Sequence, residues 1–522
     1  MSGPVEELAR FLLDRFGADV PVTWSFQTNR DYMKLQDWPR TGEYDDSTMM
    51  DLMDALDEAL RAPDDDRPLI GDLTLNTDPP HLRHTFELAS RSPCSVLLDP
   101  EFRYPNDRHT RPVPESAAVS DEPTDPEVLR RIEVLVTQWA IHHREIHGAA
   151  PEFGEPYTEE QLSAIEQRLG VRLPEDLRAL YRLIGDDDYR ELGLLGGYSL
   201  QEPAAPDDPN RGFGTAPTSD AFTPLSPVVF DASPVGAVRR VSSSDGWIPI
   251  GTDYGCNAIA VDLDPGPDGR YGQILEFGRD FERIGVLAES VTALLSGIVA
   301  TLLREDIDED DWPPRVSRPD PQWQANVDAS GEPVTTFTGV SDVEQLQHLR
   351  LTQPGLSAHR LPNGELMIHR YGDDADPGRL DLSVLSATSH LRQVEITWDG
   401  EIRLWLPHTV ESLELNAPRA DLSDLAGHPA LWNLTLGPMP VRARDLAALP
   451  ELIRLDASAA DIDDVVALAD LDVRILLLRA DQWQRLRRAD RLPKRLAGAQ
   501  WIGDPLPIPE AADFSAWLRT KN

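Results

Sequence analysis

Three lysines, Lys34, Lys494 and Lys521, and two cysteines, Cys94 and Cys256, are all that the 522 residues contain of either type. Two cysteines build neither a disulfide framework nor an all-cysteine zinc site, and so few of them fit a reducing compartment. No apolar run approaches the roughly 20 residues that a membrane helix needs, and no basic flank leads into an apolar core near residue 1. A cytoplasmic protein without a membrane partner is therefore expected. Positive charge is short overall, with 49 Lys and Arg against 90 Asp and Glu and a formal net charge of -41. Binding to nucleic acid or to an anionic membrane requires clustered cations, so neither is expected as a partner. The excess of acid favours a basic protein partner, because complementary charge speeds encounter and rejects wrong partners.

Signatures of catalysis are also missing. There is no glycine-rich phosphate loop and no Gly-x-Ser-x-Gly elbow, and no cofactor is expected. His143 and His147 stand four apart, but Arg144 holds the place where a zincin has glutamate, so no metal site is expected there. Asp306, Asp308 and Asp310 alternate as a calcium loop begins, yet Asp311 occupies the place of the required glycine and Ser317 that of the closing glutamate. Asp253, Asp262, Asp264 and Glu276 invite a hydrolase reading, but Asp at strand ends is first a turn former. The chain is read as a non-enzyme.

What remains is folded and modular. A hydrophobic fraction of 40% beside a charged fraction of 27% is that of globular domains, and the length calls for two to four of them. Residues 1–112 read as a small α+β domain, with an amphipathic helix over 5–16, strands over 22–26, 69–75 and 95–98, and an acidic helix over 47–60. Proline-rich acidic linkers follow at 112–126 and at 305–322.

Between the linkers the local signals are sharp. Thr158 and Gln161 have the spacing of a capping box, and Leu162, Ile165 and Leu169 form one helical face that Gly170 ends. Pro174 is placed at the first position of a second helix, whose stripe is Leu177, Leu180, Tyr181 and Ile184. Residues 247–250, 258–261 and 273–276 read as short strands separated by Gly and Asp turns. Together with Val171-Arg-Leu-Pro-Glu-Asp-Leu177, Trp247-Ile-Pro-Ile-Gly251, Asn257, Asp262-Leu-Asp-Pro-Gly266 and Phe277-Gly278, this stretch resembles the SUKH superfamily over roughly residues 127–300. That superfamily includes a yeast cell-wall-synthesis regulator and many bacterial toxin-immunity proteins. The segment 201–220, rich in Pro, Asp and Gly, departs from the pattern and leaves the strands after the helical pair without a place.

Beyond residue 322 the chain repeats Leu-x-x-Leu-x-Leu. The units start at Leu346, Leu391, Val410, Leu431, Leu452 and Val473, and the last five advance by 19 to 21 residues. The period resembles leucine-rich repeats, with a hairpin around Asn363-Gly364 inserted early. In such an array the side chains between the leucines line a concave sheet face, here Gln393, Glu395, Thr397, Ser412, Glu414, Asn416, Asn433, Thr435, Arg454, Asp456, Ser458, Ile475, Leu477 and Arg479.

The expected fold is α+β, a SUKH-like α+β domain at 127–304 joined to a small N-terminal α+β domain at 1–112 and a C-terminal leucine-rich-repeat solenoid. The repeat array is placed at 323–500, with a C-terminal cap or tail at 501–522. The resemblance implies a protein-binding role, toxin neutralisation by capture of a basic cognate effector. The two alternatives are a regulatory scaffold for several housekeeping proteins and an enzyme with its chemistry in the first domain. Candidate partner-binding residues are Asp253, Asn257, Asp262 and Glu276 in the middle domain and Glu395, Glu414 and Asp456 on the concave strip.

Overall fold

The computed structural model describes residues 3–16, 23–29, 32–35, 47–62, 65, 67–75, 77–109, 118–119, 122–185, 193–203, 228–255, 257–304, 312–316, 321–328, 343–371 and 379–521. Most of the segment 201–220, the acidic run with Asp306, Asp308 and Asp310, and Cys256 lie outside them. The chain divides into two compact units, one of residues 103–323 and 344–347, the other of 1–102, 324–343 and 348–522.

The first unit is built on local signals that the sequence carries openly. Asp125 caps the helix Pro126–His147 through the N–H groups of Glu127 and Val128, and Gly148 ends it in the left-handed conformation. Thr158 and Gln161 close a reciprocal capping box at 3.2 Å and 2.7 Å before Glu159–Leu169. Pro174 lies one place earlier than expected: it is the extended cap residue, and Glu175–Leu183 begins after it. A fourth helix, Val291–Arg304, completes the layer.

These helices pack on a five-stranded antiparallel sheet ordered Gly285–Ala288, Gln273–Gly278, Asn257–Asp262, Trp247–Thr252, Ser199–Leu200. Strand alternation sorts the side chains. Ile248, Ile250, Ile259, Val261 and Ile274 enter the helical core with Leu162, Leu177, Leu180, Leu294 and Ile298. Trp247, Ala258, Ala260, Leu275 and Phe277 turn the other way, onto Ala232, Ala237 and Val238. Both faces are covered, which is why these strands read as continuous apolar runs. Pro249, which has no N–H to give, falls where the register slips between Ile259 and Ala260. The segment 234–240 approaches so closely that a Cβ on Gly269 would run into the carbonyl of Ala237.

In the second unit a nine-stranded sheet runs Gln324–Asp328, His348–Thr352, Gln393–Thr397, Ser412–Asn416, Asn433–Leu436, Arg454–Asp456, Ile475–Arg479, Gly498–Ile502, Cys94–Leu97. Every pairing is parallel except the last. Leu413, Leu434, Leu455 and Leu476 stand in register and are wholly buried. Asp381, Asp421 and Asp464 each cap the turn of helix that follows by accepting from an N–H two residues on, those of Ser383, Ser423 and Val466.

The N-terminal residues of this unit form a sheet ordered Tyr32–Leu35, Thr23–Asn29, Leu69–Thr74, His81–Thr85. The helices Pro4–Phe16 and Ser47–Leu60 bring Leu8, Leu12, Met53 and Leu56 onto its Trp24, Phe26, Leu69 and Leu73. One strand expected there goes elsewhere. Cys94–Leu97 closes the edge of the long sheet, pairing antiparallel with Gly498–Ile502, with Gln500 donating to Ser95 Oγ at 2.8 Å and Arg474 on Asp99 at 2.6 Å. An exposed edge offers unpaired N–H and C=O groups, and this strand covers it. Residues 501–522 contribute the helix Ile508–Lys521, which buries Ile508, Ala511, Phe514 and Leu518.

The helical pair of the first unit is tied by charge as well as by apolar stripes. Arg178, fully buried, lies 2.6 Å from both Glu166 and Glu159, and Glu166 also accepts the N–H of Leu173 at 2.8 Å. Removing one partner strands the other in a medium that cannot solvate it. Arg178→Met is expected to cost about 3–5 kcal/mol, and Glu166→Leu combined with it to restore part of that loss, both read from chemical denaturation.

Candidate functional site

Two surfaces carry the candidate residues. In the first unit Asp253, Asn257 and Glu276 gather where the hairpin between Trp247–Thr252 and Asn257–Asp262 meets the turn after Gln273–Gly278, while Asp262 lies at the other end of its strand, opposite Gln273. Asp253 Oδ1 accepts the N–H groups of Gly255 at 2.7 Å and Asn257 at 2.9 Å. The Asn257 amide donates to Asp253 at 2.6 Å and to Asp280 at 2.9 Å, and its oxygen accepts the N–H of Asp280 at 3.2 Å. Burial alone would raise the Asp253 pKa, but these hydrogen bonds outweigh it and hold the carboxyl below its ordinary value. Asn257, buried, is thus the rivet between two turns. Glu276 is half-buried and accepts from the Tyr198 hydroxyl at 2.8 Å. Burial and then the neighbouring Glu276 charge push the Tyr198 pKa up, so the phenol stays a donor.

Asp262 is a correction to the expected surface. It is fully buried, with Oδ1 accepting from the N–H of Asp264 at 2.9 Å and Oδ2 from Gln273 at 2.8 Å, while the same Gln273 amide reaches the Ala237 carbonyl at 2.8 Å. It offers no atom to a partner and instead fastens segment 234–240 to the sheet. Asp264 is occupied by both nitrogens of an Arg239 fork, at 2.8 Å and 2.9 Å. The four carboxylates grouped by sequence are therefore each taken up by a different donor. What this corner presents is Asp253, Glu276 and Asp280 at its rim. Tyr198 and Asp280 were missed by sequence reasoning. Asp280 is brought there by the pairing of Asn257 with Gly278, which the fold sets and no local pattern announces.

His143 and His147 of Pro126–His147 are packed rather than presented. His143 and His147 have ring centroids 4.5 Å apart, both meet Trp312 edge-on, and His143 Nδ1 lies 3.3 Å from the Ala149 carbonyl. Burial and then His147 depress the His143 pKa. Among the described residues no group of three or more His, Cys, Asp or Glu is placed to hold a metal ion.

The second surface is the strip between the leucines. Its members stand side by side as expected, Glu395 opposite Glu414 and Thr435 opposite Asp456. It is not open, however. Thr397, Ser412, Asn416, Asn433, Thr435, Asp456, Ser458, Ile475 and Leu477 are all buried. Glu395 is held by His348 at 2.9 Å and Arg350 at 2.6 Å; burial would raise its pKa, but these two donors bring it down to about 2. Glu414 is raised by burial, and Arg360 pulls it only part of the way back. Asp456, 1% exposed, accepts from the N–H and hydroxyl of Ser458 at 3.1 Å and 2.7 Å and lies 2.9 Å from Arg360. The three acids are engaged inside the unit, so the strip does not face a partner as the repeat pattern implied.

Residues 156–297 match the SMI1 / KNR4 family (SUKH-1), a span lying inside the 127–300 of the expected resemblance. The relatives named here are fungal. A KNR4/SMI1 homolog of Yarrowia lipolytica is 42% identical over 82 residues, 16% of this chain and 11% of its own. The cell wall biosynthesis/cell cycle regulator smi1 of Schizosaccharomyces pombe is 33% identical over 162 residues, 29% and 32% of the two chains. The cell wall assembly regulator SMI1 of Saccharomyces cerevisiae is 51% identical over 57 residues, 11% of each. The chain thus spans no more than 32% of the length of these relatives. An internalin of Listeria monocytogenes aligns over 38% of this chain and 59% of its own at 19% identity, with a TM-score of 0.21, too low to bear on the fold. Among the described residues no helix is long and apolar enough to cross a membrane.

Burial pushes the Asp262 pKa from 3.8 up to about 6. A raised folded-state value means that the folded protein holds this proton more tightly than the unfolded chain, so the contribution is complete below pH 3.8 and is lost as pH rises through about 6. Wild type is expected to gain on Asp262→Asn by about 3 kcal/mol as pH falls from neutrality to the lower limit of that window, measured as the difference between their denaturation free energies. A pH-independent difference would remove the buried proton from this description.

Proposed function

We propose that the chain is a non-enzymatic regulatory protein that acts by binding other proteins, with residues 156–297 as its recognition module. One observation carries this reading: that segment matches the SMI1 / KNR4 family (SUKH-1), whose relatives here are named as regulators of cell wall biosynthesis and assembly. The rim of Asp253, Glu276 and Asp280 is the surface assigned to the module. It is acidic, and the net charge of -41 favours a basic partner reached by electrostatic steering.

The second unit is inferred to be a degenerate leucine-rich-repeat solenoid serving as a further binding platform. Parallel strands whose equivalent residues are 21 apart support this, as in the Asn433 amide donating to Ser412 at 2.8 Å and Arg454 to Asn433 at 2.9 Å. The cytoplasm is the proposed location.

Neutralisation of a basic toxin is a narrower second reading, favoured by the charge alone. Affinity capture with the full chain from its native host, at low and at high salt and with mass spectrometry of the retained proteins, separates the two. Several cellular proteins, weakened together by the exposed substitution Glu282→Lys near the rim, are expected. A single basic toxin released by salt would replace the regulator with the second reading, and a chain that retains nothing would overturn both.

A further inference from the structure

The strip between the leucines is partly covered by its own chain. From His348 to its neighbour Gln393 the sequence advances 45 residues instead of 21, and the surplus includes the hairpin Leu356–Arg360 with Leu366–Arg370. Its register pairs Leu356 with Arg370, Ala358 with Ile368 and Arg360 with Leu366, so these six side chains share one face of the ribbon. From that face Arg360 reaches the sheet. Its Nη2 lies 2.9 Å from Asp456, while Arg370 pairs with Asp399. The turn reaches further along: the Asn363 carbonyl accepts the N–H of Gly503 at 3.2 Å, and a Cβ on Gly364 would come within 2.6 Å of Ile502. The ribbon thus spans the strip from the strand that ends at Thr352 to the strand that ends at Ile502.

What lies beneath it is ready for a donor rather than for an apolar plug. Asp456 is a buried acid paired with Arg360, the half-buried Glu414 feels the same guanidinium at longer range, and the Asn416 side-chain oxygen beside Glu414 is buried with no hydrogen-bond partner. A guanidinium offers five N–H groups in a flat fork, which suits carboxylates and amide oxygens on adjacent strands better than a lysine would. What holds the ribbon is thin. His359, Arg360, Met367, Ile368 and Arg370 remain exposed with it in place, and elements with few buried apolar contacts open at low free energy.

We propose that the concave face is a binding site for an extended, arginine-bearing segment of another protein, and that the hairpin is its built-in occupant, which such a segment displaces. The proposal rests on the reading of the second unit as a binding platform and names its ligand class, and Arg360 is the group that the incoming segment imitates.

The test uses the full chain, Arg360→Ala, and a variant with residues 356–370 replaced by a short Gly-Ser loop. The probe is a labelled, end-cyclised synthetic peptide of residues 354–372, alone or carrying Arg360→Ala. The loop variant is expected to bind the peptide about tenfold more tightly than wild type, and the arginine-free peptide about tenfold more weakly, with affinity falling as salt rises. Equal binding of the two peptides, or none to the folded loop variant, overturns the proposal. If the loop variant does not fold, hydrogen exchange decides. Arg360→Ala is expected to speed exchange of the hairpin amides about tenfold while the sheet around Leu413 and Leu434 stays protected, and unchanged hairpin exchange overturns it. The peptides carry nothing of residues 156–297, so failure here leaves the proposed function of that module standing, and the reverse also holds.

Discussion

Ninety acidic side chains share forty-nine lysines and arginines, so a carboxylate that is buried must compete for a short supply of cations or do without one. A desolvated acid needs a cation or several donors, or it takes up a proton. Three solutions occur side by side. Glu166 receives an arginine and a backbone N–H at the centre of the helical pair. Glu395 is clasped by His348 and Arg350 and is held far below its ordinary pKa. Asp262 has neutral donors only, and burial raises it. Asp456 lies between these cases, because its arginine comes from a hairpin that is itself poorly anchored, and Glu414 nearby stays raised by burial. The supply of cations therefore sets both where the fold is firm and where it can yield.

Much of the first unit was legible because its signals are local. The capping box at Thr158, the stop at Gly170 and the three central strands depend on spacing within a few residues, and they fold as the spacing demands. The two edge strands were not legible. Ser199–Leu200 has two residues, too few for a period, and Gly285–Ala288 shows no alternation of polar and apolar side chains. Cys94–Leu97 was recognised as a strand and assigned to the wrong neighbours, since a strand pattern names no partner and its mate, Gly498–Ile502, is some 400 residues away. The candidate site shows the same limit. Period two correctly grouped Glu395, Glu414 and Asp456 on one face, but no periodicity says what covers a face. Asp262 looked like a turn residue at a rim, and only the approach of Ala237 and Gln273 makes it interior.

The functional reading follows from the same division. In the segment that matches the family the acids at Asp253, Glu276 and Asp280 are fixed by short-range hydrogen bonds and stay at the rim, a preorganised acidic corner. On the parallel sheet the acids are covered. On the proposed reading the chain has one acidic surface presented and a second held in reserve, both suited to basic partners.

The most direct test of the central claim is hydrogen exchange of the full chain with and without a purified partner recovered by capture. The account predicts slowed exchange in the turns around residues 253–257 and 278–282, where the rim lies. Unchanged exchange throughout residues 156–297 on partner binding would contradict it.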